Sequence, residues 1–247
     1  MTDLLGYRKR IGIVVPSTNT SVQPQCEMLR PRGVTNHIAR ISIKERPLTS
    51  EQAFLEHVQA MRDGMRGAID QVMTCQPDHV IMAVALEAFW GGVQQADELQ
   101  RELSERAKVG VSMGSTATVA ALQRLGAKRI AVLTPHQPRG DEQVRHYFED
   151  AGLEVKRLIG LKCASPVLIA HTTARQMIDA LKALDGDDID ALVQVGTNLA
   201  AIELCAQAER WLGKPVLAIN AVTYWDALRR CGIEDRVAGY GSVLEQF

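Results

Sequence analysis

The sequence predicts an α/β protein made of two similar Rossmann-like lobes of parallel sheet, related by a pseudo-twofold axis, with an active site in the cleft between them. Three observations lead there. Short β-branched runs alternate with apolar stripes at helical spacing, the order that gives parallel strands covered by helices. Segments recur in the same order at an offset of roughly 105–120 residues. Glycines stand where helices should stop and the next strand begin, in LGAKR (125–129), AGLE (151–154) and LGKP (212–215).

Taken in order, strands are expected over 10–15, 36–43, 79–85, 109–113, 129–134, 154–161, 191–196 and 215–220. Between them, helical spacing covers 51–74, 93–107, 114–125, 140–152, 172–185 and 199–212. In the internal echo GIVVPSTNT (12–20) matches IAVLTPHQP (130–138), and VIMAVALE (80–87) matches LVQVGTNLA (192–200). VGVSMGSTATVAAL (109–122) likewise matches KPVLAINAVTYWDAL (214–228). The expected first lobe is 1–117 together with 229–247, and the second is 118–228. The last piece, 238–247, is expected to pack back on the first lobe.

Composition narrows the function. With 46% hydrophobic residues the chain can bury a large core, and a net charge of −1 without a basic run gives no footprint for nucleic acid. No apolar run approaches the roughly 20 residues of a membrane span. The five cysteines are odd in number and widely spaced, which reads as reduced thiols in a cytoplasmic protein. No metal-ligand spacing, no GxGxxG after a strand and no P-loop is present, so neither metal nor cofactor is expected. The expected partner is a small carboxylate substrate, and a homo-oligomer stays open.

In an open parallel sheet, ligands bind beyond the carboxyl ends of the strands. There the sequence places Ser17, Asn19 and Thr20, then Ser115, then Thr197 and Asn198, mostly at helix starts where free N–H groups favour an anion. The bland reading is that such residues are only caps, and their occurrence at matching places in both halves argues against it. Three titratable groups stand at strand ends: Glu87, His136 and Cys163. Cys163 is placed ahead of Glu87 for proton handling, with His136 as a binder that assists, and Lys162 beside Cys163 as a group that could stabilise a thiolate. His57, His79, His146 and His171 read as surface or structural. Phe89 and Trp90 read as pocket wall or as core between the lobes.

PSTNT, RIAVLTPH and the stretch 196–229 together resemble the aspartate/glutamate racemase superfamily, and more closely its maleate cis–trans isomerase and arylmalonate decarboxylase branch. The resemblance implies that Asn19 contacts a substrate carboxylate and that His136 stands where a substrate-binding tyrosine is usual. It implies cofactor-independent chemistry through an enolate, as an isomerase first and a decarboxylase second. It also places the family's two cysteines near Ala85–Leu86 and at Gly196 or Thr197, where this chain has no thiol. A reading from another class follows from that loss: a carboxylate-binding protein without turnover.

Overall fold

A computed structural model describes residues 3–247. In chain order the elements are β1 (Lys9–Pro16), α1 (Val22–Leu29), β2 (Val34–Ile41), α2 (Glu51–Met73), β3 (His79–Met82), α3 (Leu86–Phe89), α4 (Gly92–Ala107), β4 (Val111–Met113) and α5 (Gly114–Leu125). The second half continues with β5 (Arg129–Thr134), α6 (Pro138–Asp150), β6 (Glu154–Gly160), α7 (Pro166–Ile169), α8 (Ala174–Leu184), β7 (Ala191–Gln194), α9 (Ile202–Leu212), β8 (Val216–Ala218), α10 (Ile219–Arg230) and α11 (Ser242–Gln246). Two four-stranded parallel sheets result, in the orders β2-β1-β3-β4 and β6-β5-β7-β8. The second order repeats the first with every number raised by four, which is the internal echo made structural.

All eight expected strands form. β3 and β7 end earlier than their apolar runs, and for the same reason. Past Met82 the N–H of Ala83 still donates to Val14 O at 2.8 Å, and past Gln194 the N–H of Val195 donates to Leu133 O at 2.8 Å. The chain then turns away from each sheet. In the first half it turns into α3, whose Leu-Glu-Ala residues favour a helix. The PVLAIN run is also shorter as a strand, because Ile219 already opens α10. Five helices have no assigned range in the sequence pattern: α10, and the short α1, α3, α7 and α11, of which α1, α3 and α7 lie in loops at the carboxyl ends of strands.

The inner strands are apolar through their centres because helices cover both sheet faces. Ile11, Ile13, Val14 and Val15 of β1 and Ile130, Ala131, Val132 and Leu133 of β5 are all buried. α10 is buried along Ile219–Leu228, more than one face of an ordinary surface helix. It leaves the second sheet and packs on β3, β4, α1 and α5 of the first half. The tail beyond it bridges the halves: Asp235 takes a two-pronged hydrogen bond from Arg8 at 2.5 and 2.8 Å, while Ser242 is held by Glu209 of α9.

A buried polar chain ties α10 to the first sheet. Ser112 Oγ donates to Asp226 Oδ2 at 2.5 Å, and Arg230 Nε donates to the same oxygen at 2.7 Å. The Ser112 proton is thereby committed, so His79 Nε2, 2.8 Å from Ser112 Oγ, carries the proton and donates. Burial holds the His79 pKa down at about 4. The unfolded chain therefore binds a proton on His79 below pH 6.5 that the folded chain refuses until about 4. This part of the stability is complete above pH 6.5 and is lost as the pH falls toward 4, by up to about 1.4 kcal/mol per unit. We expect urea unfolding of His79→Gln to show a flatter fall in stability between those pH values than the parent. Equal slopes would show that His79 does not titrate in the folded core as described.

Candidate active site

The polar loops at the strand ends meet first with one another. After β1, the Asn19 Oδ1 accepts from the N–H groups of Ser21 and Val22 at 3.0 and 2.9 Å, closing the start of α1. Its Nδ2 donates across to Thr197 Oγ1 at 3.2 Å. After β7, Asn198 reciprocates: its Oδ1 accepts from Thr20 N–H at 2.9 Å and its Nδ2 donates to Pro166 O at 3.0 Å. Ser21 Oγ donates to Asn198 O at 3.0 Å, and Asn220 Nδ2 donates to Thr197 O at 2.8 Å and Gln25 Oε1 at 2.7 Å. These groups are buried or nearly so, where an unmade hydrogen bond costs about 1–3 kcal/mol. The two matching clusters form a loop-to-loop interlock.

Beside the interlock lies a cavity of about 90 Å³. At about 10–15 Å³ for each enclosed water, that is room for a molecule of several heavy atoms. Asn19, Thr18 and Asn198 form one part of its wall, while Glu87, His136 and Cys163 enter from three other loops. The remainder is largely apolar and includes Ile43, Leu48, Phe54, Met61, Leu86 and Ile169. The wall contains no lysine or arginine. The segment between β2 and α2 closes one side. Ser17 Oγ accepts from Ile43 N–H at 3.1 Å, and Leu48 N–H donates to Ala164 O at 2.8 Å, so this stretch crosses to the second half.

Glu87 and His136 have uncommitted polar atoms. Glu87 sits on α3, which is anchored by Phe89 in an aromatic cluster with Tyr147 and Phe148 of α6, ring centroids 5.1 and 5.3 Å away. Phe89 is thus core between the halves. Trp90 packs on Phe54 at 6.0 Å, with the Arg139 guanidinium over its ring. Glu87 is 4% exposed, and its Oε1 is sealed from solvent with no hydrogen-bond partner. Burial raises its pKa to about 7, against the opposing effects of its own backbone N–H and then of Arg62. His136 is half-buried as a residue, but its Nε2 is sealed and unpartnered. Burial lowers its pKa to about 4, so the ring is neutral at pH 7. The site therefore pairs a carboxyl that readily holds a proton with an imidazole that has none to spare.

Cys163 follows β6 in a turn where Lys162 has φ +52°. Its N–H donates to Pro135 O at 2.9 Å, and Lys162 N–H donates to His136 O at 3.2 Å, which fixes the cysteine loop against the histidine loop. The sulfur lies 3.6 Å from Thr172 Oγ1, and burial pushes its pKa up.

The other expected site residues lie outside the cavity wall. Ser17 is exposed and holds the β2–α2 segment, and Thr20 is exposed and gives its N–H to Asn198. Ser115 is sealed in the core at the start of α5. Thr197 lines a separate small void with Cys26 and Thr223, and its hydroxyl accepts from Asn19. In the other direction, His57 does line the cavity, and burial lowers its pKa. The signal for it was on the page: it stands three residues after Phe54 and four before Met61, on one face of α2, and both of those also line the cavity.

A family model described as arylmalonate decarboxylase matches residues 11–244. The chain belongs to the arylmalonate decarboxylase family. Maleate isomerase of Nocardia farcinica is 26% identical over 244 residues, covering 96% of each chain. Arylmalonate decarboxylase of Bordetella bronchiseptica is 22% identical over 169 residues, 67% of this chain and 70% of its own. The solved structure of a Nocardia farcinica maleate cis–trans isomerase variant with a covalently bound succinylcysteine intermediate superposes with a TM-score of 0.88 at 25% identity, over 97% of this chain and 99% of its own.

That relative carries substrate-derived carbon on a cysteine, whereas Ala85, Leu86, Gly196 and Thr197 hold the positions that the resemblance assigns to thiols here. The structure adds a reason at Gly196. Its φ is +111°, and a Cβ there would stand 2.5 Å from Pro135 Cδ, closer than any real contact. We expect Gly196→Ala to lower unfolding stability by about 1–3 kcal/mol in urea titration. A variant as stable as the parent would show that this backbone can relax to admit a side chain.

Proposed function

We propose that this chain is a cofactor-independent enzyme that turns over a small mono- or dicarboxylate through an enolate-type intermediate, in the manner of a maleate isomerase. The observation that carries the proposal is the pair of sealed, unpartnered atoms, Glu87 Oε1 and His136 Nε2, in the wall of one cavity. Buried polar atoms are nearly always satisfied, and exceptions concentrate where a ligand completes the set. Support for the carboxylate comes from Asn19 and Asn198 in the wall and from the N–H group of Asn198, which has no protein acceptor among the described residues. Charge-assisted hydrogen bonds to such donors substitute for the absent arginine.

In the isomerase reading, the Cys163 sulfur adds to one alkene carbon. Its proton passes, by way of the neutral His136 Nε2, to the substrate carboxylate oxygen that gains the alkene electron pair as the enolate forms. Glu87 in its protonated form donates to the oxygen that gains charge, where a preorganised donor acts most strongly. Rotation about the new single bond, collapse of the enolate and expulsion of the sulfur return the alkene in the other geometry, and the protons go back. A decarboxylase reading has its own support in the apolar wall of Ile43, Leu48, Phe54 and Ile169, which suits a malonate with an apolar substituent. In that case loss of carbon dioxide leaves the enolate and Glu87 gives its proton to carbon.

Both readings use protonated Glu87, whose pKa is raised to about 7. The sign follows: turnover should be full below pH 7 and fall as the pH rises through it, and a rate that instead rises through pH 7 would assign Glu87 as a base. Glu87→Gln is expected to lower turnover by about 10²-fold or more with binding largely kept, the usual scale for losing a general acid. Normal turnover in that variant would remove Glu87 from the chemistry.

Maleate and arylmalonates, assayed in parallel with Cys163→Ala, separate the readings. Conversion of maleate to fumarate that is abolished in Cys163→Ala supports the isomerase. Decarboxylation that survives the same substitution supports the lyase. Binding of both acids without turnover of either would make the chain a carboxylate-binding protein and overturn the proposal.

A further inference from the structure

We propose that the cavity is built for a monocarboxylate with an apolar end, a small 2-alkenoic acid, with one corner of the wall holding the carboxylate and the rest taking hydrocarbon. The inference rests on the reading of this cavity as a carboxylate site and names the class of acid that the site prefers. The polar atoms of the wall divide into those spent on the protein and those left for a ligand. Gln137 Nε2 is spent on Lys162 O and Cys163 O, 3.0 Å from each. Asn198 Nδ2 is spent on Pro166 O at 3.0 Å and Thr18 O at 3.5 Å, which draws both of those loops to Asn198. Asn19 Nδ2 gives one hydrogen to Thr197 Oγ1 and keeps the other. The hydrogens left for a ligand therefore collect in one corner. They are that amide hydrogen, the Asn198 N–H and the hydroxyls of Thr18 and Ser165, none with an acceptor among the described residues. A carboxylate has about four lone-pair sites to fill, so the corner matches one carboxylate and not two.

Away from that corner the wall has little to hold a second carboxylate. Ile43, Leu48, Phe54, Met61, Leu86 and Ile169 are apolar, and no lysine or arginine lines the cavity among the described residues. The titratable groups in the wall are Glu87, Cys163, His57 and His136. Burial shifts both imidazoles toward the neutral ring, so neither supplies a cation at neutral pH. Glu87 is itself an acid, and its ionised form repels a second anion. A carboxylate buried without a charged partner is among the most costly groups to take out of water. A methylene set against the same wall gains about fourfold in affinity. Glu87, His136 and Cys163 are then left to face the reacting carbons and the oxygen that takes up charge.

The test is an NMR titration of the full chain with saturated acids, which bind without turnover: succinate as the dianion against butanoate and pentanoate as monoanions. We expect pentanoate to bind at least about tenfold tighter than succinate and about fourfold tighter than butanoate. Ile169→Lys sets a cation in the apolar wall, and we expect it to narrow or reverse the preference over succinate. Leu48→Lys serves in the same way should that variant fail to fold. Succinate that binds the parent as tightly as pentanoate, or a preference that a folded lysine variant leaves unmoved, would overturn the proposal. Turnover keeps the underlying reading separate. Isomerisation of (Z)-2-pentenoate with a kcat/KM at least about tenfold above that of maleate supports both. Monoacids that bind as expected with no turnover of either alkene leave the preference standing and remove the isomerase reading. Failure of all the acids to bind overturns both.

Discussion

The reciprocal hydrogen bonding of Asn19 and Asn198 is the constraint on which the rest of the site depends. Each asparagine belongs to the loop after an inner strand of one sheet, and each reaches the loop of the other. With Ser21, Thr197 and Asn220 they join the carboxyl ends of β1 and β7 through buried contacts. Because those groups are buried, opening the joint would leave donors and acceptors without water. The cavity beside it therefore has a fixed floor, and the loops carrying Glu87, His136 and Cys163 are set around that floor by separate anchors. These are the aromatic cluster behind α3 and the backbone bonds between the His136 and Cys163 turns.

The chemistry of the site follows from what the floor lacks. Its wall holds no cation, and its asparagine oxygens are already used by the protein. Burial then acts on the two remaining groups in opposite electrical senses but toward the same end, neutrality. It raises Glu87 to about 7 and lowers His136 to about 4. A carboxyl and an imidazole shifted this way in the wall of one cavity hold less charge at neutral pH than either would in water. Close by in the fold, Gly196 has no room for a side chain, because a Cβ there would stand 2.5 Å from Pro135 Cδ.

The fold was legible because its causes are local and repeated. β-branched runs, helical stripes and the duplicated order of segments each reported the same architecture, and the paired strand ends at Ala83 and Val195 bear the repeat out at the level of single hydrogen bonds. Where strand lengths were misjudged, an apolar run continued past the point at which the chain leaves the sheet. The polar clusters were correctly placed at the strand ends, but their use was not readable. Ser, Thr and Asn in a loop have the same sequence whether they face a ligand or an opposing loop, and only the second half of the fold decides which. The Thr197 hydroxyl faces the opposing loop, and Thr20 meets that loop through its backbone N–H. His57 was missed because its role comes from the tertiary placement of one helix face, which spacing alone shows only in relation to Phe54 and Met61.

The most direct measurement of this account is a crystal structure with a substrate or product acid in the cavity. We expect the reacting carbon within about 3.5 Å of the Glu87 carboxyl or of Cys163 Sγ. We expect a carboxylate on the N–H group of Asn198, with the bonds from Asn19 to Thr197 and from Thr20 to Asn198 kept. A ligand that binds by breaking that interlock, or that leaves Glu87 and His136 unpartnered while it occupies another part of the cleft, would contradict it.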